Sequence, residues 1–123
     1  MTDREAWICI VDDDPDIREI VALVLEASGY RVRTAIDGEE ALATLKKHPG
    51  CALIILDLMM PGMNGWEFRS AQLSDPALAT IPVVVLTGIR EVPAQTAMLD
   101  AAAALQKPVD LDELVGTVAR HAA

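Results

Sequence analysis

Short apolar runs, each too short for a helix, recur along this chain and constrain its fold more than any other feature. They lie at 6–11, 52–56, 82–86 and, with a weaker pattern, 103–106. The first three are rich in Ile, Val and Leu without polar alternation, which is typical of parallel strands covered on both faces. Residues 30–35 differ, because Arg31 and Arg33 alternate with less polar neighbours and indicate a strand at the sheet edge with one exposed face.

Segments of helical periodicity separate these runs. The first follows Asp14 as an N-cap and Pro15 at the first helical position, and Gly29 closes it. In the last, Asp110 and Glu113 have capping-box spacing. Beyond the first segment, helices are predicted around 41–45, 65–73, 92–99 and 111–118.

The order of these elements is strand then helix, repeated through the chain. Such alternation predicts a parallel sheet with right-handed crossovers and helices on both faces. A length of 123 residues with 52% hydrophobic side chains suits a single domain that buries a real core. We therefore expect one α/β domain over residues 1–123, with no output domain.

Charge and terminal composition exclude several classes of partner. Nineteen acidic against ten basic residues give a formal charge of −9, so direct binding to nucleic acid is not expected. The charged N-terminus leads into an apolar run too short for a signal peptide or a membrane span. We expect a cytoplasmic protein without membrane insertion, in which Cys9 and Cys51 stay reduced.

Polar side chains follow four of the predicted strands at the point where each strand ends. Asp12 and Asp13 follow the first strand, Asp57 the third, Thr87 the fourth and Lys107 the fifth. Taken singly, each has an ordinary explanation as a helix cap, a turn residue or a solvated cation. Their joint placement is not explained in this way, because ligand chemistry in parallel sheets collects at the carboxyl ends of the strands.

The three aspartates need a counter-charge if the first and third strands are neighbours. Adjacent strands lie about 4.8 Å apart, and two carboxylates ~5 Å apart repel by roughly 3 kcal/mol at an effective dielectric of 20. Mg²⁺ fits, because it takes one or two carboxylates and completes its shell with water and phosphate oxygens. Lys107 suits a phosphoryl oxygen and Thr87 offers a hydroxyl donor, so the set matches the needs of phosphoryl transfer.

Four motifs, in order and correctly spaced over the whole chain, resemble the receiver domains of bacterial two-component response regulators. They are Ile-Val-Asp-Asp-Asp-Pro-Asp-Ile-Arg at 10–18, Leu-Asp-Leu-Met-Met-Pro-Gly-Met-Asn-Gly-Trp-Glu at 56–67, Val-Val-Leu-Thr-Gly at 84–88 and Leu-Gln-Lys-Pro at 105–108. Each motif is weak alone, but the set is specific. The resemblance implies a flavodoxin-like, doubly wound sheet of five parallel strands in the order 2-1-3-4-5.

The resemblance also implies an acceptor and a metal site. Asp57 would be the phosphoacceptor, taking a phosphoryl group from the phosphohistidine of a sensor histidine kinase or a histidine phosphotransfer protein. Asp13 and Asp57 would hold Mg²⁺ with the backbone carbonyl of Met59, while Asp12 would act largely through a metal-bound water.

Two further side chains receive roles from the same resemblance. Lys107 would pair with the acceptor carboxylate and then with a phosphoryl oxygen, and its peptide bond to Pro108 is expected to be cis. The hydroxyl of Thr87 would move to bind the phosphoryl group and draw the following loop with it. Two positions depart from the family pattern: Ala104 replaces an aromatic switch residue, and Asp100 replaces a glycine, so the end of the predicted helix over 92–99 is expected to be shaped differently.

The expected function is therefore a signalling switch rather than a turnover enzyme. It would catalyse only its own Mg²⁺-dependent phosphorylation and dephosphorylation and act on an unidentified downstream protein, as a monomer or a weak phosphorylation-dependent dimer. One alternative is a haloacid-dehalogenase-like phosphatase, from the order Asp12-x-Asp14, Thr87 and Lys107, but it leaves Asp57 without a task. The other is a constitutive pseudo-receiver that only binds partners.

Overall fold

Five strands and four helices make up the described part of the chain, residues 6–88 and 99–122 of the computed structural model. They are β1 (Trp7–Val11), α1 (Pro15–Ala27), β2 (Val32–Ala35), α2 (Gly38–Lys47), β3 (Cys51–Asp57), α3 (Gly65–Leu73), β4 (Val83–Thr87), β5 (Ala103–Gln106) and α4 (Leu111–His121). All neighbouring strands pair in parallel in the order β2-β1-β3-β4-β5, which confirms the predicted flavodoxin-like topology. The predicted helix over 92–99 lies outside the described residues except at Leu99.

Side-chain caps start the helices where the sequence predicts them. The Asp14 carboxylate accepts hydrogen bonds from the backbone amides of Asp16 (2.9 Å) and Ile17 (3.5 Å), and α1 then begins at Pro15. The Asp110 carboxylate accepts from the Glu113 amide at 3.0 Å and starts α4. These bonds satisfy amides that have no partner within the helix.

The core lies in two layers, one on each face of the sheet. On one face α1 and α4 pack through Val21, Leu25, Leu114 and Val118, all fully buried. On the other face α2 and α3 pack through Ala41, Leu45 and Phe68. Strands β1 and β4 are apolar and buried towards both layers, as expected of central strands, whereas β2 is mostly exposed and lies at the edge.

A buried polar pair on α3, which the sequence pattern did not indicate, forms hydrogen bonds to the chain after α3 and to residues 99–100 before β5. Arg69 is 7% exposed, and its guanidinium donates to the carbonyls of Leu99 (2.9 Å) and Asp100 (3.0 Å) and to the Gln72 side-chain oxygen (2.7 Å). The amide nitrogen of Gln72 donates in turn to the carbonyls of Leu78 (2.9 Å) and Ile81 (3.0 Å). We call these two side chains the Arg69–Gln72 cluster.

Asp100, one of the two departures from the family pattern, adopts a left-handed backbone conformation with φ of 52°. This is the region that glycine enters without strain and that aspartate tolerates better than most residues. The aspartate thus holds a conformation that glycine favours. The helix predicted over 92–99 lies outside the described residues except at Leu99, so the expected change in the shape of its end stays a prediction. Arg69 holds the Asp100 carbonyl in place.

Candidate functional site

The carboxyl ends of four neighbouring strands bring the predicted site residues to one edge of the sheet. Asp12 directly follows β1, Asp57 ends β3, Thr87 ends β4 and Lys107 directly follows β5. Because β1, β3, β4 and β5 are consecutive in the sheet, residues far apart in sequence become neighbours. Carboxylate oxygens of Asp12, Asp13 and Asp57 lie within 4.8 Å of one another.

The three aspartates, which we call the carboxylate cluster, differ in burial. Asp12 is fully buried and Asp57 is 3% exposed, whereas Asp13 is open to solvent. One Asp12 oxygen, Oδ1, accepts from the Asp14 amide at 2.9 Å. Asp57 Oδ1 faces the Met59 amide at 3.4 Å. The carboxylate cluster thus holds hydrogen-bond acceptors in a buried place that is open to solvent on the side of Asp13.

Among the described residues, Lys107 is the one cation within ion-pair distance of these carboxylates. Lys107 Nζ lies 3.2 Å from Asp12 Oδ2 and 3.2 Å from Asp57 Oδ1. The contact with Asp12 has ion-pair distance but not hydrogen-bond geometry, and this buried Oδ2 has no hydrogen-bond partner among the described residues. Three carboxylates against one ammonium leave a net negative charge in a largely buried place.

The charge imbalance shows in the protonation equilibria of the cluster. Burial, and then the charge of Asp12, raise the pKa of Asp57 to about 7, although Lys107 and the Met59 amide oppose the shift. Burial lowers the pKa of Lys107, but its pairing with Asp12 and Asp57 outweighs this and the net shift is upward. The lysine is therefore held as a cation, while the buried Asp57 carboxyl retains its proton more readily than usual.

The donor set fits a hard divalent cation. Carboxylate oxygens are the ligands that Mg²⁺ prefers, and the buried Asp12 Oδ2 is an acceptor to which no group in residues 6–88 or 99–122 donates a hydrogen bond. Arg18 adds a contact that sequence reasoning missed, since its guanidinium donates to the Asp12 carbonyl at 2.8 Å. Its position four residues after the N-cap Asp14, on the first turn of α1, is the signal that could have revealed it.

Thr87 and Lys107 are joined through the backbone as well as the sheet. The Lys107 amide donates to the Thr87 carbonyl at 2.7 Å. The Thr87 hydroxyl points towards β5, where it faces the Leu105 carbonyl at 3.4 Å. The Lys107–Pro108 peptide bond is cis, which confirms that prediction. Ala104, the second departure from the family pattern, is exposed on β5.

The loop after Asp57 is held tightly against the start of α3. The Gly65 amide donates to the Leu58 carbonyl at 3.0 Å. A Cβ atom at position 65 would lie 2.7 Å from the Leu58 Cα, so only glycine permits this approach. A complete capping box between Asn64 and Glu67 fixes the same helix start. The side chain of Met59 is 63% exposed beside Asp57.

Comparison with known proteins gives one consistent result. The family described as "Response regulator receiver domain" matches residues 8–119. Among curated proteins, "DNA-binding dual master transcriptional regulator RpaA" from Synechocystis is 36% identical over 90% of this chain and 46% of its own length. "Response regulator Rre1" from the same organism is 38% identical over 90% of this chain and 49% of its own length. The chain thus spans about half the length of these two relatives.

Solved structures agree with this match. Chemotaxis protein CheY4 of Vibrio cholerae is 34% identical with a TM-score of 0.86, covering 94% of this chain and 98% of that one. The signal receiver domain of a histidine kinase from Syntrophus aciditrophicus is 32% identical with a TM-score of 0.85, covering 94% and 88%. Neither alternative function gains support from these matches.

No helix within residues 6–88 and 99–122 combines the length and apolar character needed to cross a membrane.

Proposed function

Because this chain belongs to the response regulator receiver domain family of two-component systems, we propose that Asp57 is its phosphoacceptor. The donor would be the phosphohistidine of a sensor histidine kinase or a histidine phosphotransfer protein. The observation that carries this proposal is the placement of a buried carboxylate, Asp57, 3.2 Å from the ammonium of Lys107 and beside two more carboxylates. The output is a change of surface recognised by a downstream protein, not turnover of a substrate.

The proposed step is a displacement at phosphorus. A carboxylate oxygen of Asp57 forms the new P–O bond as the P–N bond to the donor histidine breaks, and the electron pair of that bond returns to the imidazole. The carboxylate must be ionised to attack. Its raised pKa, about 7, means that positive charge brought to the cluster favours the reactive form.

Asp13 and Asp57, with the backbone carbonyl of Met59, would hold Mg²⁺ directly, and Asp12 would hold it through water. When bound, the ion supplies positive charge that offsets the approach of a negative phosphoryl group to a carboxylate. Lys107 screens the same repulsion from the β5 side, since its ammonium already lies between two carboxylates. This arrangement is electrostatic stabilisation by groups fixed before the reaction.

Thr87 would respond to the new phosphoryl group. Its hydroxyl faces the Leu105 carbonyl at a long 3.4 Å, a weak bond that a phosphoryl oxygen can replace. Rotation of Thr87 towards Asp57 would break this hydroxyl contact between β4 and β5. Because Ala104 carries no ring, this coupling would operate without an aromatic side chain at that position.

The test is phosphorylation by a small-molecule donor. Incubation with acetyl phosphate and Mg²⁺, followed by mass spectrometry with site mapping, should place one phosphoryl group on Asp57 and none when EDTA replaces the metal. Asp57→Asn should remain unlabelled. The matched control is Asp14→Asn, which removes a nearby exposed carboxylate but keeps the helix cap, and it should label like the parent chain.

Labelling of Asp57→Asn at full stoichiometry would contradict the assignment. Phosphate mapped to Asp12 would instead support the phosphatase alternative.

A further inference from the structure

A groove at the amino ends of the strands collects basic side chains of this acidic chain. It has a volume of about 880 Å³ and is formed by residues at the starts of β1, β2 and β3. Arg33, Lys47 and His48 line it together with Tyr30, and Glu26 is its one carboxylate among the described residues. A five-residue strand is about 16 Å long, so this basic groove is separate from the carboxylate cluster at the other end of the sheet.

Arg33 is held against an aromatic ring at the groove. Its guanidinium carbon lies 5.7 Å from the centre of the Trp7 ring, a cation–π contact. The Trp7 indole N–H faces the carbonyls of His48 (3.2 Å) and Pro49 (3.4 Å), so the ring itself is anchored to the groove wall. A guanidinium stacked in this way keeps its N–H donors free at the ring edge to bind an oxyanion.

Arg33 and Lys47 form no ion pair with a carboxylate of the described residues, although the chain contains 19 acidic residues. The ion pairs of Lys107 lie in the carboxylate cluster, at the other end of the sheet. The pKa of His48 is lowered by desolvation and then by the charges of Arg33 and Lys47, which places all three groups in one positive field. The cations of the groove therefore outnumber Glu26, its one carboxylate among the described residues.

Arg33 and Lys47 each have a local structural role, but these roles do not explain why both side chains line the same groove. Lys47 lies in the last turn of α2, where a cation complements the helix dipole. Arg33 lies on the edge strand β2, where a charge discourages pairing with other strands. Neither role requires the two side chains to line one groove together with His48, and like charges brought together repel unless negative charge offsets them.

We propose that this basic groove binds a nucleoside diphosphate or triphosphate, with its phosphates on Arg33, Lys47 and His48 and its base beside Tyr30. The volume lies in the range of ligand pockets, roughly 300–1,000 Å³, and exceeds what an inorganic phosphate fills. Half-buried Tyr30 and Val32 provide the less polar wall that a base requires. A nucleic acid polymer is disfavoured, because its long phosphate backbone would meet a domain of charge −9.

The experiment is a titration of the full chain with ADP in EDTA, so that no metal recruits phosphate to the carboxylate cluster. Calorimetry gives the dissociation constant, and NMR follows the His48 ring. Arg33→Gln and Lys47→Gln should each weaken binding at least tenfold. Lys46→Gln is the matched control, because it removes the neighbouring charge of α2 that does not line this groove, and it should change affinity less than twofold.

Binding should also raise the pKa of His48, because a phosphate stabilises the imidazolium. The other charged or titratable groups that line the groove are Glu26, Tyr30, Arg31, Arg33 and Lys47. Arg33→Gln and Lys47→Gln measure how much Arg33 and Lys47 each contribute to the pKa of His48. Lys47 is exposed, so Lys47→Gln stays informative even if loss of the Trp7 contact disturbs the Arg33 variant.

Several outcomes would overturn the proposal. One is an unchanged dissociation constant in both Gln variants; another is ADP-induced shifts that centre on Lys107 rather than His48. Pyrophosphate binding as tightly as ADP would remove the role of the base and Tyr30. A decaglutamate peptide binding more tightly than ADP would assign the groove to an acidic protein segment instead.

Discussion

The carboxylate cluster and the Arg69–Gln72 cluster are both buried and polar, yet they are built in opposite ways. In the Arg69–Gln72 cluster each of the five hydrogen bonds described above joins a side-chain donor to a fixed acceptor, and four of these acceptors are backbone carbonyls. In the carboxylate cluster one lysine faces an excess of acceptors, and Asp12 Oδ2 has ion-pair distance without a hydrogen bond. The Arg69–Gln72 cluster has its hydrogen bonds paired, as expected of buried polar groups that stabilise a fold. The carboxylate cluster has too little positive charge, as expected of a site that binds a cation.

The comparison predicts opposite signs for substitutions in the two places, and the largest effect belongs to Arg69. Arg69→Met should lower the free energy of unfolding by about 3 kcal/mol or more, because buried carbonyls and the Gln72 oxygen lose their donor. Urea unfolding measures the change. Arg120→Met, at an exposed position of α4, should cost less than about 1 kcal/mol. A loss below 1 kcal/mol at Arg69 would show that water can replace the guanidinium.

Neutralisation within the carboxylate cluster should stabilise the metal-free fold. Asp57→Asn should raise the free energy of unfolding by about 1–2 kcal/mol at pH 8 in EDTA, since the substitution removes one buried negative charge. Asp14→Asn, outside the cluster, should stay within about 0.5 kcal/mol of the parent chain. Destabilisation by Asp57→Asn would mean that the ion pair with Lys107 outweighs the repulsion.

The same substitution gives a pH dependence with a defined direction. Unfolded Asp57 ionises near the ordinary value of 3.8, whereas the folded carboxyl keeps its proton up to about pH 7. The folded state therefore binds more protons between these values, and the parent chain loses stability relative to Asp57→Asn as pH rises from about 4 to 7. Paired melting curves in EDTA should converge near pH 4 and stay apart above pH 7. A constant gap would exclude Asp57 as the titrating group.

Magnesium should replace the missing positive charge. At ten times its dissociation constant it should stabilise the parent chain by about 1.4 kcal/mol. Asp13→Asn should raise the melting temperature in EDTA, because repulsion falls, and should lose most of the gain from magnesium. If Asp13 acted only near the start of α1 and not as a ligand, the gain from magnesium would be unchanged in that variant.

The smallest effect is expected at Asp100, beside the Arg69–Gln72 cluster. Asp100→Gly relieves the left-handed backbone at φ 52° but gives the unfolded chain more freedom, so the free energy of unfolding should change by about 0.5 kcal/mol or less. Asp100→Val, which disfavours this conformation, is the comparison and should destabilise the fold clearly more. Equal stability of the two variants would show that the left-handed conformation is not required.

Local pattern was sufficient for much of the fold. The uninterrupted apolar runs of β1, β3 and β4 indicate central strands because burial on both faces leaves no place for polar alternation. The bounds predicted for α3, residues 65–73, match the structure. The joint position of Asp12, Asp57 and Lys107 followed from one rule, that parallel strands end at the same edge.

What the sequence concealed depends on contacts between distant segments. Arg69 and Gln72, three residues apart on a helix, have the spacing of a solvent-facing pair, and only the carbonyls of Leu99 and Asp100 make their burial tolerable. The direction of the Thr87 hydroxyl is likewise set by β5, the neighbouring strand, and not by its own motif. Local periodicity contains no information about such partners.

The close approach of Gly65 to Leu58 has a consequence for how this sequence can drift over evolutionary time. An aspartate cap can be exchanged for asparagine or serine with little loss, but at position 65 even a single methyl group would meet the backbone at 2.7 Å. Relief would require α3 to move away from the loop that follows Asp57. A lineage that loses this glycine would therefore have to change both the loop after Asp57 and α3. Selection for the chemistry at Asp57 and selection for folding thus act on the same codon, that of residue 65.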